Sequence, residues 1–342
     1  MQLIDFGWPC SAALNLAREE SLFARLERTG ALLLFYVDTA AVVIGRNQMP
    51  WAEVRPDALV SGGVPLVRRM SGGGTVYHDP GNLNYSLMLP AAAPGRPAAA
   101  AILQPVVRAL RALGLPARLS ARNAVFVGRH KVSGTAQFMT AGRILTHGTL
   151  LVDADLQRLT DCLGPDPALQ INSRGRPSIA SPVANLSDLE PAVTMAELRR
   201  ALVSACADAY GPIAERPLAL AVEEAARLLT REKYQTWEWN IGRSPPGRIT
   251  WEGNFKGVAC RCRLHVRQGK IIRVQIDASG HQQKQLQGWA QSWLQGRRLG
   301  DMTVAAHERL HQANTSDGAR AAFMHWLRAG LPKPLPISSE NI

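Results

Sequence analysis

The run Arg68-Arg69-Met70-Ser71-Gly72-Gly73-Gly74-Thr75-Val76-Tyr77-His78-Asp79 has the residue types needed to hold an anion. Three consecutive glycines let backbone N–H groups approach a charged group closely, and the two arginines before them add fixed positive charge. A phosphate or a carboxylate is the ligand such a loop suits. The run lacks the Gly-Lys-Ser/Thr ending of a Walker loop and the spaced glycines of a dinucleotide fingerprint. Taken alone, three glycines read equally well as a flexible turn between strands. The polar residues that follow, His78, Asp79, Asn82 and Asn84, stand beside apolar strand residues, and burying them is costly unless each has a partner.

Two further segments carry candidate chemistry. In Gly128-Arg129-His130-Lys131-Val132-Ser133-Gly134-Thr135-Ala136-Gln137, small residues flank Lys131, so a ligand could lie against the backbone while one ammonium holds a carboxylate and a phosphoryl oxygen together. Read alone, Lys131 is an exposed turn cation. Thr146-His147-Gly148-Thr149-Leu150-Leu151 offers His147 as either a core residue or a site wall. Lysine usage sharpens the choice. Only six of the 39 basic residues are lysine, and Lys131 stands alone among the first 232 positions. That pattern suggests a place needing a compact ammonium rather than a planar guanidinium, although one lysine must also fall somewhere by chance.

Taken in order, these segments resemble the lipoate-protein ligase family, within the wider group of biotin and lipoate protein ligases. The family pattern Arg-Arg-x-Ser-Gly-Gly-Gly-x-Val-(Tyr/Phe)-His-Asp-x-Gly-Asn lies at Arg68 to Asn82. Lys-(Val/Ile)-(Ser/Ala)-Gly-(Ser/Thr)-Ala lies at Lys131 to Ala136, and His-Gly-Thr-Leu-Leu at His147 to Leu151. Asn15-Leu16-Ala17 with Glu19-Glu20, Val43 to Gln48, Val183 to Leu186, and Trp237 to Gly242 with Ser244-Pro245 are similar as well, so the resemblance spans nearly the whole chain. It implies an enzyme that uses ATP to convert lipoate to lipoyl-AMP and passes the lipoyl group to one lysine of a lipoyl carrier domain, with Mg2+ on the departing phosphates. Residue by residue, it implies Arg69, Gly74, Thr75, Val76 and Tyr77 at the ATP or adenylate. Ser71, Gly72 and Gly73 would shape the loop beside the acyl chain. Lys131 would be the catalytic residue, touching both the lipoyl carboxyl and the α-phosphate, with His78 and His147 near the reaction centre on the lipoate side.

One position departs from the pattern. Family members usually carry Arg-Asn-Asp before the lysine segment, whereas this chain has Arg122-Asn123-Ala124, so a carboxylate that would position the lysine or a metal is missing. Asp79 or another carboxylate would have to compensate. Tyr36 stands where the family often has tryptophan, which is expected to change only the fit to the acyl chain. Two rival readings follow: a lipoyl or octanoyl transferase using a pre-activated acyl donor, and a non-catalytic lipoyl or adenylate binder. Such transferases often use a cysteine nucleophile, and none of Cys10, Cys162, Cys206, Cys260 and Cys262 lies in the glycine run or the lysine segment. Retention of Arg69, Lys131 and the whole glycine run argues against the binder.

The rest of the chain must bring residues 69–78, 131 and 147 together. A length of 342 residues with 46% hydrophobic content suits two globular domains, one large and one small. The net charge of +12 comes from dispersed basic residues without an interleaved aromatic row, which fits a phosphorylated ligand or an acidic carrier better than nucleic acid. No apolar run reaches the roughly 18 to 20 residues that span a membrane, and the start has no secretory pattern, so a cytoplasmic protein is expected. The five scattered cysteines make no disulfide framework, and Cys260 and Cys262 alternate with Arg261 as packing residues on one strand face. Apolar spacing predicts helices over 11–28, 99–113, 195–210, 219–234, 282–295 and 303–329. Strands are expected over 31–36, 40–44, 64–69, 82–89, 124–127, 131–136 and 145–152, with a hairpin around Gln268-Gly269. Residues 91–97 read as a surface connection, 166–182 as an irregular loop that could act as a lid, and the end after Gly330 as a tail. The expected fold is α+β. A large catalytic domain, 1–244, has a mixed or mostly antiparallel β-sheet flanked by helices; a small α+β accessory domain, 247–342, follows the Ser244-Pro245-Pro246-Gly247 punctuation. The resemblance implies that this second part rotates between the two reaction steps.

Overall fold

The structure, a computed structural model, describes residues 1–7, 9–26, 30–91, 99–140, 142–279, 282–300 and 318–337. Helix Ala12–Arg25 starts where the Ser11 hydroxyl accepts the Leu14 N–H at 3.3 Å. Its stripe of Leu16, Leu22 and Phe23 is buried, and Glu19 is buried on the same helix. The two apolar runs after it become strands Leu32–Tyr36 and Ala41–Ile44, buried along their whole lengths, as continuous apolar runs in covered sheets are.

These strands join different sheets. A six-stranded mixed sheet runs in the order Thr135–Thr140, Arg143–Leu151, Asn82–Pro90, Leu32–Tyr36, Gln2–Asp5, Ala214–Glu215. Its first three pairings are antiparallel and its last two parallel. Ala41–Ile44 is the middle of a small sheet, parallel to Leu66–Arg68 and antiparallel to Val76–His78, so the glycine run links its two edges. Ala117–Leu119, Val125–Val127 and His130–Ser133 form an antiparallel sheet that carries Lys131. A four-stranded antiparallel sheet holds Gln170–Ser173, Gly247–Phe255, Val258–Arg267 and Lys270–Ala278. Its last hairpin turns at Gln268 and Gly269, whose φ values of 52° and 67° match the twist of paired strands. The architecture is mixed α+β.

Several expectations shift in detail. The strand expected over 131–136 breaks at Gly134, placing His130–Ser133 and Thr135–Thr140 in different sheets. Helix 99–113 divides into Ala99–Ile102 and Gln104–Ala112, the second carrying in its first turn Pro105, which has no N–H to donate to a preceding turn. Residues 170–173, expected inside an irregular loop, form an edge strand. Residues 27–28, 92–97, 303–317 and 338–342 lie outside the described residues. Among the described residues, no helix is long and apolar enough to cross a membrane.

One core cluster joins Val42, Trp51, Leu66 and Tyr77 to Ile249, Trp251, Cys260, Cys262, Phe323 and Leu327. Across it, Trp51 Nε1 donates to the Lys333 carbonyl at 2.9 Å, and Leu66 bridges Ile337. Beside this core lies Arg68, with 0% exposure and, among the described residues, no carboxylate partner. Its Nη1 donates to the carbonyls of Gly45, Arg46 and Gln48 at 2.9, 3.0 and 2.9 Å. Its Nε and Nη2 donate to the Asn240 carbonyl at 3.0 and 2.8 Å, and its backbone N–H to Asn240 Oδ1 at 2.7 Å. Burial, then the neighbouring cations Arg243 and Arg69, pushes Arg68 down to about 9. Arg68→Lys keeps the charge and loses the planar fork, and is expected to lower the unfolding free energy in urea by about 3 kcal/mol. A loss below about 0.5 kcal/mol, the level of an ordinary surface change, would show that these carbonyls find other donors.

Candidate active site

Close approaches at glycines bring the three segments together. A Cβ at Gly45 would lie 2.2 Å from the Gly73 carbonyl oxygen, so the turn after Ala41–Ile44 touches the glycine loop backbone to backbone. Gly73, at φ +87°, faces Ala136, whose Cβ would be 3.3 Å from an added Cβ. At Gly134 an added Cβ would meet Lys131 Nζ at 3.4 Å and Val76 Cγ1 at 3.5 Å; at Gly148 it would meet the Gly134 carbonyl at 2.8 Å. The loop therefore lies across Thr135 and Ala136, with Lys131 and His147 brought in from adjoining strands.

The two arginines before the loop divide their work, which the sequence did not distinguish. Arg68 is spent on carbonyls behind the site, as above. Arg69, also buried, donates from Nη2 to the carbonyls of Gly72 and Gly74 at 2.6 and 2.7 Å, from Nη1 to Val43 at 3.1 Å, and from Nε to Ser71 Oγ at 3.0 Å. Pulling the Gly72 carbonyl toward the guanidinium turns the N–H of Gly73 away from it, because the intervening peptide is planar and trans. Burial pushes Arg69 down to about 10.

Ser71 is the first member of a buried chain. Its Oγ lies 2.6 Å from His147 Nε2, and His147 Nδ1 lies 2.9 and 3.1 Å from the two Glu19 oxygens. A carboxylate accepts only, so His147 Nδ1 donates to Glu19, and the Ser71 oxygen accepts from Arg69 Nε. Ser86 Oγ also donates to Glu19. His78 occupies a separate buried network, with Nδ1 at 2.6 Å from Asp38 Oδ2, while Asn15 Nδ2 donates to Asp38 Oδ1 at 2.7 Å. Among the described residues, His78 Nε2 has no partner.

The far end of the loop is clamped by residues distant in sequence. Thr75 N–H donates to Ser178 Oγ at 2.8 Å, and Thr75 Oγ1 reaches Gln48 Oε1 at 3.0 Å and Glu53 Oε2 at 3.1 Å. Ser178 in turn donates its hydroxyl to Glu53. Burial raises the Glu53 carboxyl, opposed by its bonds to Ser178 and Thr75. The stretch expected as a lid thus leaves the edge strand Gln170–Ser173, meets the loop at Ser178, and accepts the Lys131 N–H on the Pro182 carbonyl at 2.8 Å.

Lys131 is half-buried, and among the described residues its ammonium has no carboxylate partner. Val76 faces Gly134, whereas the ring of Tyr77 alternates to the opposite side and packs in the cluster with Trp51. Any contact of Tyr77 with a ligand at the loop therefore runs through its backbone. Ala124 sits half-buried in a turn where its N–H donates to Ser120 Oγ at 3.1 Å, and the adjacent Asn123 carbonyl accepts Thr135 Oγ1 at 2.6 Å. Asp79 does not replace the missing carboxylate: its oxygens accept the N–H groups of Gly81 at 2.9 Å and Asp155 at 2.8 Å. Sequence reasoning assigned no role to Glu19, Asp38, Gln48, Glu53 or Ser178. Glu19 alone left a signal, since it falls three residues after Leu16 and four before Phe23, on the helix's own apolar stripe.

The family model for the lipoyl protein ligase A/B catalytic domain matches residues 11–207. Lipoate-protein ligase LplJ of Bacillus subtilis is 36% identical over 261 residues, covering 75% of this chain and 78% of that protein. Among solved structures, an archaeal bi-partite lipoate protein ligase from Thermoplasma acidophilum, described with its E2 lipoyl domain, aligns with TM-score 0.61 and 29% identity over 70% of this chain and 95% of that one. Lipoate-protein ligase A bound with ATP aligns with TM-score 0.62 and 29% identity over 70% of this chain and 97% of that one.

Burial, then the Arg69 charge, lowers the Lys131 pKa from its ordinary 10.5. Its ammonium is expected to lose its proton below that value when followed by NMR of labelled lysine Nζ in the free protein, assigned with Lys131→Arg. Titration at or above the ordinary value would mean that water reaches the amine.

Proposed function

The chain belongs to the lipoyl protein ligase A/B family and is an enzyme of lipoate-protein ligase type; we propose that it makes lipoyl-AMP from lipoate and ATP and transfers the lipoyl group to one lysine of a carrier domain. The observation that carries this reading is Lys131, a half-buried ammonium with no carboxylate partner among the described residues, at the meeting point of the three segments. A cation so placed can draw two anions together.

In the first step, a lipoate carboxylate oxygen attacks the α-phosphorus of ATP and pyrophosphate leaves. Lys131 would sit between carboxylate and α-phosphate, while Arg69 holds the loop and Gly74, Thr75, Val76 and the Tyr77 backbone line the nucleotide. Ser71, Gly72, Gly73, His78 and His147 would face lipoate. In the second step, the carrier's lysine amine attacks the acyl carbon and AMP leaves, with Lys131 stabilising the developing negative charge. The ATP-bound relative and the relative described with its lipoyl domain support these two partners. Mg2+ enters only as the companion of the phosphates. An ion carried by phosphates needs only one or two protein carboxylates; among the described residues no three His, Cys, Asp or Glu side chains gather as metal ligands, Ala124 supplies no carboxylate, and no step runs through the ion. We assign catalysis to residues 1–244 and an accessory role to 247–342, acting in the cytoplasm.

Incubating a purified lipoyl domain with the protein, lipoate, ATP and magnesium is expected to add one lipoyl group by intact mass, with a rate at least about 100-fold lower for Lys131→Ala. Acylation from an acyl thioester without ATP would favour the transferase, and absence of pyrophosphate release would favour the binder. Ala124→Asp is expected to speed pyrophosphate release; an unchanged rate would show that adenylation here has no use for a carboxylate at that position.

A further inference from the structure

Charge is unevenly spread over the outer face of the C-terminal four-stranded sheet. Its strands carry six lysines and arginines against two acids, while the alternate residues Cys260, Cys262 and Leu264 are buried in the core below. At one end of the face the charges balance: Glu252 pairs with Arg261 at 2.7 Å and Asp277 with Arg263 at 2.5 Å. At the other end Asn172, Arg248, His265 and Arg273 stand opposite one another in a row across all four strands. Both acids of the face are already taken, so among the described residues this row has no carboxylate partner. Basic groups set side by side across strands repel. His265 registers that field, since burial first, then Arg273, Arg248 and Arg263, lowers its pKa from the ordinary 6.5. Arg248 and Arg273 are exposed. A row held in this way is arranged for negative charge that arrives from outside.

The row also leads toward the active site. Strand Gln170–Ser173 runs on into Arg174 and Arg176, both exposed, whose N–H groups donate to the Pro246 and Asn47 carbonyls at 3.1 and 3.3 Å. Two residues later Ser178 meets Thr75 of the glycine loop. The chain from Asn172 to Ser178 can span at most about 21 Å. A compact domain of about 100 residues has a radius of gyration of about 13 Å, so one seated on the row covers that distance. Three strand spacings of about 4.8 Å make the row about 14 Å wide, and a single phosphate would fill only part of it. A protein face bearing several carboxylates matches its length. We propose that the row Arg248, His265 and Arg273, continued by Arg174 and Arg176, is the docking surface for an acidic face of the lipoyl carrier domain, holding the carrier while its lysine enters the site. This rests on the ligase reading above. Ile272, 52% exposed beside Arg273, offers an apolar contact at the edge of the same surface. The surface acts on capture of the carrier and takes no part in adenylation.

Charge reversal in the full-length protein tests the surface. In the double variant Arg248→Glu, Arg273→Glu, kcat/KM for a purified acidic lipoyl domain is expected to fall at least about tenfold, mostly through KM. Pyrophosphate release with lipoate and ATP, and discharge of preformed lipoyl-AMP by hydroxylamine, should stay within about twofold of native, which also reports a folded variant. Raising salt from about 0.01 M to about 0.1 M should lower the native kcat/KM for the lipoyl domain, and the variant should lose most of that dependence. A carrier kcat/KM that changes by less than about twofold, with the salt dependence kept, would overturn the docking surface and leave the ligase reading standing. An equal fall in pyrophosphate release would assign the row to the nucleotide step and overturn docking as well. A native protein that forms no lipoyl-AMP would overturn the docking surface together with the ligase reading.

Discussion

A guanidinium taken out of water must find oxygen on every side, and Arg68 finds it in backbone carbonyls rather than in a carboxylate. That requirement fixes the site. Holding the carbonyls of Gly45, Arg46 and Gln48 on one fork sets the turn after strand Ala41–Ile44. The turn then presses Gly45 onto Gly73 and presents the Gln48 amide to Thr75 and Ser178. The opposite side of the same guanidinium holds Asn240, whose amide donates onward to Tyr234 and Thr236. A residue adjacent to the anion loop thus acts on the loop's shape and adds no contact of its own.

Three cations at the site show why arginine and lysine are not interchangeable here. Arg68 and Arg69 use forked donors to tie down carbonyls in fixed directions. Lys131 reaches the site from the strand His130–Ser133 with a compact ammonium, and its backbone is anchored by the Pro182 carbonyl. Two planar groups build the frame, and in the ligase reading the group that would meet a ligand is the one that can adapt to it.

The local pattern of the chain was readable where one element supplies its own signal. Helix Ala12–Arg25, the buried strands after it, the hairpin at Gln268-Gly269 and the glycine loop follow from spacing and turn chemistry. Strand Gln170–Ser173 was not readable, because an edge strand between prolines is made by its partner Gly247–Phe255 rather than by its own propensity. The site divides in the same way. Lys131, Ser71 and His147 sit in compact motifs, whereas the contacts of Glu53 with Ser178 and of Glu19 with His147 join residues separated by 125 and 128 positions. Nothing in either neighbourhood names the other. Arg68 and Arg69 look alike as a pair, and only the location of the carbonyls around each separates their roles.

The core that runs from Val42, Trp51 and Tyr77 into Ile249, Trp251 and Phe323 makes the C-terminal sheet a stakeholder in the same apolar interior as the strands flanking the glycine loop. Swinging that sheet away would bring Trp51 and Trp251 into water and break the bond from Trp51 to Lys333. Such an interface behaves as a threshold: a ligand opens it only through a difference in affinity between the two arrangements large enough to offset the exposed surface. A movement that parted the two sheets would therefore have to be an all-or-none event, and not a continuous flexing of a loose appendage.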